Sequence, residues 1–376
     1  MAVGHGPRRT TDVPVLSRDQ MASITDVARL AGVSTATVSR VVSLAPYAVN
    51  PATRERVLEA ARTLDYVPNA LARGLHKSHV PVVGVIVHDI TDPYFAEVVR
   101  GVEDAASVGG FLVITCSSDR IAEREHSYVR LLRSMRASTV IFAGSGLTDP
   151  ALNAELAMHL NAMRAYGAAV VHCSPHALGD AEIGIDNAAA MEGIVVALAN
   201  LGHRRIAFLA GPASLYVSHE RLEGYRRGLA ATGIGSDPRL VVSTGFNQES
   251  GALGVDALVA AGAPFTAICA ANDLLALGAI QRLAELGLDV PRDVSVTGFD
   301  DIPTAAMASP SLSTVQLPLK EIGRRAFAFA ERVLAGETPK NDVLPTTLVM
   351  RGSTGAPPAE AAEAAAIQRV PTAVVA

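Results

Sequence analysis

Gly32 separates two short stretches of helical periodicity and limits how residues 24–42 can fold. Upstream, DVARLAG places Val27, Ala28 and Ala31 on one face at i, i+1, i+4 spacing, with Thr25 positioned as a cap. Gly32 suits the residue just past a helix, because glycine enters the left-handed region without a Cβ penalty. After Val33, Ser34 is expected to cap a second helix, TATVSRVV. In it Val38 and Val42 face inward, leaving Thr35, Ala36, Thr37, Ser39 and Arg40 outside. Two helices joined by a glycine-containing turn of about four residues form the helix-turn-helix pattern, whose second helix enters the major groove of DNA. A third helix follows, with Asn50 as cap and Pro51 at its first position. Val57, Ala60, Ala61 and Leu64 form its apolar stripe, and it ends before Pro68. On spacing alone, a generic three-helix bundle is the plainer alternative.

From residue 82 onward the pattern changes. Short apolar runs at 82–87, 111–116, 139–143, 169–173, 205–210, 239–243, 266–270 and 294–298 read as strands. Amphipathic stretches near 94–109, 120–136, 151–166, 187–202, 218–232, 248–261, 272–287 and 318–335 read as helices. Strand–helix alternation with β-branched strands predicts parallel sheets covered on both faces. There are too many strands for one ordinary sheet, so two doubly wound lobes are expected, with ligands beyond the carboxyl ends of their strands.

The chain's net charge is −5, which taken whole would argue against a nucleic-acid binder. The distribution changes that. Residues 21–80 hold seven Arg/Lys against four acids, a net of +3; residues 1–20 add +1, and the remainder carries −9. A mildly basic head on an acidic body confines salt-dependent DNA contact to one end. Cys116, Cys173 and Cys269 lie in apolar β-like runs with no paired spacing, as buried thiols of a reducing, cytoplasmic compartment would. No CxxC or HxxxH spacing suggests a metal, and no cofactor is implied. No run approaches the roughly eighteen apolar residues of a membrane span, and no export segment is evident. Residues 1–20 lack periodicity and are expected to be a disordered extension, with Met21 the expected start.

ITDVARLAGVS-x-x-TVSRV, NP-x-TRERV and LDYVPN-x-LARGL closely resemble the DNA-binding head of the lactose-repressor (LacI/GalR) family, almost continuously over about fifty residues. The resemblance implies a hinge helix, here Asn69–Leu75, that folds on the operator and places Leu75 as a wedge in the minor groove. Such a wedge unstacks a base step at a cost offset by contacts to the bent DNA. It also implies that Thr35, Ala36 and Arg40 face base edges, with Arg40 suited to guanine and Ala36 offering only a methyl. Ser34, Thr37, Ser39, Thr53 and Arg54 would meet phosphates, although Arg54 reads equally well as a solvated surface arginine.

The body resembles the same family's effector-binding core, itself similar to periplasmic sugar-binding proteins. VVGVIVHDITDPYFAEVVRGVEDAA, EREHSYVRLLRS, LGHRRIAFLAGP, RLEGYRRGL, AANDLLALGAI and DVSVTGFDD match in order, so the likeness covers about 24–354. The implied organisation is a head at 21–68, a hinge and linker at 69–80 and a core at 81–354. The chain would cross between lobes near 185, 316 and 345, giving an N-lobe of about 81–184 and 317–343 and a C-lobe of about 185–316 and 344–354. The tail, 355–376, is Ala/Pro-rich and expected to be disordered; without leucine heptads it predicts a homodimer.

Strand ends nominate the cleft residues. Asp92, Tyr94 and Phe95 follow the first strand, Ser118 and Asp119 the second, and Phe246, Asn272 and Asp300 later ones, while Arg221 starts a helix. Aromatic faces with a fork donor, an amide and a carboxylate suit a polyol. The resemblance assigns Arg221, Asn272 and Asp300 to the effector pocket; Tyr94, Phe95 and Phe246 read equally well as core. His172 stands where many family members place a ligand-contacting aspartate, and the plainer reading is a histidine satisfied by its neighbours. Asp273 and Asp301 are better read as caps or hinge partners.

A ligand-controlled transcription factor, most often a repressor on a pseudo-palindromic operator, is the leading expectation, with a monosaccharide or polyol as effector. A periplasmic-type solute-binding protein would account for the body but not the head. An enzyme is disfavoured: no GxGxxG follows the first strand, no GxxxxGK[ST] appears, and AGSG (143–146) and AGP (210–212) are too short to cradle phosphate.

Overall fold

The computed structural model describes residues 22–42, 49–67, 80–178 and 182–359. Asn69, Leu75, the expected extension at 1–20 and most of the expected tail lie outside the described residues. Two compact units divide between Lys77 and Ser78.

The first unit contains α1 (Ile24–Ala31), α2 (Thr35–Val42) and α3 (Pro51–Thr63). Ser23, not Thr25, caps α1. The Asp26 amide donates to Ser23 Oγ at 3.3 Å while the Ser23 amide donates to Asp26 Oδ2 at 3.0 Å. This reciprocal pair satisfies two exposed amides and starts the helix one residue before Thr25. Gly32 ends it at φ 64°, and the Val33 amide reaches Ala28 O at 3.0 Å. Ser34 accepts from the Thr37 amide, and Asn50 from the Ala52 amide, as the sequence predicts. The core is built from Val27, Val38 and Val57 with Ala28, Ala31, Val41 and Ala60. Val41 rather than Val42 is fully buried on α2; Val42 packs half-buried at the edge of the same cluster.

In the second unit, β1 (Val80–Val87), β2 (Leu112–Ser117), β3 (Ala137–Phe142) and β4 (Ala169–His172) form a parallel sheet in the order β2-β1-β3-β4. The helices between them are α4 (Pro93–Val108), α5 (Ala122–Ser134) and α6 (Pro150–Arg164). A second parallel sheet, ordered β7-β6-β8-β9, contains β6 (Ile206–Ala210), β7 (Val241–Ser243), β8 (Ala267–Ala270) and β9 (Ser295–Thr297). Its helices are α7 (Asn187–Asn200), α8 (Tyr216–Ala231), α9 (Gln248–Ala260), α10 (Asp273–Glu285) and the short α11 (Pro303–Met307). β2 departs from the expectation of two covered faces: it is an edge strand, and Leu112 is largely exposed.

Between the sheets, β5 (Ile183–Gly184) pairs in parallel with β11 (Asp342–Val343), and β10 (Thr314–Gln316) pairs antiparallel with β12 (Thr347–Val349). These strands of two or three residues are not among the apolar runs expected from the sequence, because 183–184, 314–316, 342–343 and 347–349 lack the continuous apolar run that marks a sheet strand. Between β10 and β11, α12 (Leu319–Leu334) returns to the first sheet and lies on α4. The approach is close enough that a Cβ on Gly101 would strike Lys320 O and one on Gly323 would strike Val98 O. Residues 355–359 differ from a disordered tail: Gly355 O lies 3.0 Å from His203 Nε2, fastening the segment to the second sheet's flank.

Candidate effector cleft and DNA-reading surface

On the head, α2 presents Thr35, Ala36, Ser39 and Arg40 to solvent, with Thr37 half-buried. Ser34 Oγ lies 3.0 Å from Thr37 Oγ1, so both hydroxyls sit at the amino end of α2, where free amides and the helix dipole favour a phosphate. Thr53 and Arg54 are half-buried in the first turn of α3. Asn69 of the expected hinge and Leu75, its expected minor-groove wedge, lie outside the described residues.

In the second unit, the carboxyl ends of both parallel sheets converge on one cleft of about 400 Å³, part of it open to solvent. His88 and Asp92 follow β1, Arg120 follows β2, Gly144 and Ser145 follow β3, and Ser174 follows β4. From the other sheet, Leu215 and Val217 come after β6, Phe246 after β7, Asn272 after β8 and Asp300 after β9. Seven of the nominated residues line this space: Asp92, Tyr94, Phe95, Arg221, Phe246, Asn272 and Asp300.

Arg221 is the hub of the cleft. It is 6 % exposed. Its Nε donates to Asn187 Oδ1 at 3.0 Å, Nη1 to Ala271 O, and Nη2 to Asp300 Oδ1 at 3.3 Å. The guanidinium carbon stands 3.8 Å from the centre of the Phe299 ring. Burial pushes the Asp300 carboxyl well above the usual carboxylate range; Arg221 opposes the shift, while Asp273 and Asp92 add to it. Asp300 also holds a left-handed backbone, φ 114°, unusual for a non-glycine residue. Asn272 caps α10 by accepting from the Leu275 amide at 2.9 Å and donates to Phe246 O at 3.3 Å, so its amide is fixed before any ligand arrives.

The other wall is aromatic and acidic. Tyr94 and Phe95 stand edge to face at 4.9 Å, and Phe95 meets His88 at 5.6 Å. Burial, reinforced by Arg120, takes the His88 pKa down to about 3, so the ring is neutral near pH 7. Asp92 caps α4 through the Tyr94 amide, and burial raises its pKa to about 6 against the pull of that amide and of Arg120. The two walls touch directly. The Val217 amide donates to Ser145 Oγ at 3.0 Å and the Tyr216 amide to Gly146 O at 3.2 Å. The AGSG turn, too short to cradle phosphate, is thus a contact point between the two sheets' loops.

Three nominated residues, Ser118, Asp119 and His172, are not among the lining residues. Ser118 is buried and donates from its hydroxyl to Val87 O at 3.2 Å, tying the end of β2 to β1. His172 is buried against Phe142, stacked at 5.0 Å, and against His176 at 4.2 Å. Side-chain alternation explains this: His172 shares a strand face with Val170, which belongs to the apolar cluster of Phe142, Ile86 and Leu160. Ser174, beyond the end of β4, lines the cleft instead. His88, Arg120, Ser145, Ser174, Leu215 and Val217 were missed. The strand-end rule pointed to their loops but could not choose side chains within them.

Asp273 and Asp301 tie the segment after β9 to β10 and to the residues after β12. Asp273 accepts from Thr314 Oγ1 at 2.6 Å and the Ile302 amide at 2.8 Å; Asp301 accepts from Arg351 Nη1 at 2.7 Å and Gln316 Nε2 at 2.9 Å.

Two family descriptions match the chain: "Bacterial regulatory proteins, lacI family" over residues 23–69, and "Periplasmic binding protein-like domain" over residues 195–354. Among curated relatives, the HTH-type transcriptional repressor PurR of Vibrio cholerae is 35 % identical over 310 residues, covering 82 % of this chain and 90 % of the relative. The HTH-type transcriptional repressor CytR of Escherichia coli is 33 % identical over 343 residues, covering 91 % and 98 %. Among solved structures, the Lac repressor dimer bound to operator and the anti-inducer ONPF aligns with a TM-score of 0.77 at 27 % identity, over 90 % of this chain and all of that one. The complex of the transcriptional regulator CelR with cellobiose aligns with a TM-score of 0.65 at 32 % identity, over 88 % and 99 %. With the head, the two sheets and the cleft all in place, the chain belongs to the LacI family of bacterial regulatory proteins.

Proposed function

We propose that this protein is a ligand-responsive transcriptional repressor that binds a pseudo-palindromic operator as a homodimer, with a small molecule in the cleft controlling hinge and head. The observation that carries this reading is the convergence of buried Arg221, Asn272 and Asp300 with Phe246 and Tyr94 at the strand ends of two sheets, in a chain that also bears a helix-turn-helix head. Thr35, Ala36 and Arg40 read bases, while Ser34, Thr37, Ser39, Thr53 and Arg54 position the head on phosphates. Asn69 and Leu75 supply the hinge and its wedge. A two-fold dimer presents two identical heads, hence the operator symmetry. The effector acts only through a difference in affinity between the DNA-competent and released states. Relatives that are repressors support the repressor reading, and a similar regulator solved with cellobiose supports a sugar-sized effector. Three buried, unpaired cysteines suit a reducing cytoplasm, where the protein would sit on the nucleoid. Among the described residues, no helix is long and apolar enough to cross a membrane.

The test is a gel shift on DNA flanking the protein's own gene, with and without a panel of sugars, polyols and nucleosides. A specific shift altered by one compound is the expected result. A folded protein that shifts no such fragment at low salt, with every candidate corepressor present, overturns the DNA-binding reading.

A further inference from the structure

The two arginines of the cleft differ in one respect. Arg221 donates from Nε and both terminal nitrogens to protein acceptors. Arg120 lines the same space, yet its Nε is buried with no hydrogen-bond partner. Three acids surround it, and each is engaged elsewhere. Asp119 pairs with Arg124, Asp89 accepts from the Thr91 amide and hydroxyl at 2.9 and 2.7 Å, and Asp92 accepts from the Tyr94 amide at 3.0 Å. The guanidinium stands instead 5.6 Å from the centre of the Phe246 ring, on the opposite wall. That ring is seated on Gly211, where a Cβ would strike it. Arg120 is thus a cation held against the opposite wall of the cleft, with a buried Nε donor that has no protein partner.

A partly desolvated guanidinium without a contacting carboxylate is costly, and burial accordingly pulls its pKa down. An incoming oxyanion would relieve that cost through charge-assisted hydrogen bonds, for which the planar fork of arginine is suited. A neutral hydroxyl would relieve less of it. The acids of the cleft do not forbid an anion: Asp300 is already paired with Arg221, and Asp92 has a carboxyl raised to about 6 that takes up a proton readily when negative charge arrives.

We propose that the effector is a sugar-sized molecule carrying a carboxylate or a phosphate, and that Arg120 reads that group. The proposal rests on the cleft being the effector site. Arg120 is then a specificity-determining residue, distinct from the Arg221–Asp300 pair that holds the body of the ligand.

Calorimetric titration of the full chain with matched compounds tests it: glucose, gluconate, glucuronate and glucose 6-phosphate, then ribose and ribose 5-phosphate. At physiological salt an acid or a phosphate is expected to bind about tenfold or more tighter than its neutral counterpart. Arg120→Gln is expected to collapse that ratio towards one, and Arg120→Lys, which keeps charge but loses the fork, to restore part of it. Thermal melts of the ligand-free variants check that both fold. The carboxylate and phosphate arms separate the two oxyanion sources. A neutral sugar that binds as tightly as its acid, or a ratio unmoved by Arg120→Gln, overturns the inference. If a neutral compound binds and Asp300→Asn abolishes it, the effector cleft stands and only the oxyanion falls. If nothing in the panel binds, both fall together.

Discussion

The head and the effector core use polar side chains in opposite ways. Every buried side chain among the described residues of the head is apolar, and its polar residues face outward from a core of valines and alanines. The core domain instead buries Asp92, Arg221, Asp273 and Asp300 in and beside its cleft. A surface that reads DNA can leave its donors in water until phosphates and bases replace that water. A cleft that encloses a small molecule must desolvate its charges beforehand and hold each with a partner. Single substitutions should therefore act differently in the two regions: through stability and ligand binding in the core, through DNA affinity in the head.

The largest effect is expected from Arg221→Ala. It leaves Asp300 buried without its cation, which costs roughly 3–5 kcal/mol of core stability and abolishes effector binding. The head folds around its own core, so operator binding of the surviving folded protein should persist. Chemical denaturation with parallel gel shifts measures both, and an unchanged denaturation midpoint would break the contrast.

Asp92→Asn comes next. A carboxyl whose folded pKa is raised from 3.8 to about 6 binds an extra proton in the folded state between those values. Stability is lost as pH rises through that window and is level above it. Asparagine can still cap α4. The variant should match the wild type near pH 4 and exceed it by about 3 kcal/mol at pH 7. His88, whose folded pKa is depressed to about 3, works in the other direction, so its stabilisation fades as pH falls below its ordinary value of 6.5. The variant should consequently lose more stability on acidification than the wild type. Identical pH profiles would mean that Asp92 is solvated.

On the head, Arg40→Ala should weaken operator binding by about 1–3 kcal/mol and relax the preference at one base pair. Effector affinity should not move. A uniform loss over all sequences would recast Arg40 as a phosphate contact. The smallest effect is Ser23→Ala, which removes half of the reciprocal cap on α1. It should lower the melting stability of the head by about 1 kcal/mol without touching the core, and a core transition that shifts with it would contradict the independence of the two units.

The sequence made local features legible wherever the signal was local. Gly32, Ser34, Asn50 and Pro51 each mark a helix end through their own backbone or side-chain chemistry, and the structure places each as expected. Thr25 failed because the Ser23–Asp26 pair offers two hydrogen bonds where Thr25 offers one. The strands of both parallel sheets were legible because each overlaps one of the short apolar runs. β5, β10, β11 and β12 were not, since no continuous apolar run marks them and only their pairing partners define them as strands.

By itself, the sequence determined the secondary elements of the head, the alternation that makes two parallel sheets, and the loops where a ligand site must lie. Tertiary structure alone decided which side chains in those loops meet. His172 was turned away from the cleft by strand alternation, and Ser118 was tied to Val87. Arg120, unremarkable in sequence, was carried over Phe246 from the other sheet. The physical reason is the same in each case: a helix end is settled by neighbours a few residues away, whereas a desolvated charge is settled by whatever the fold brings against it.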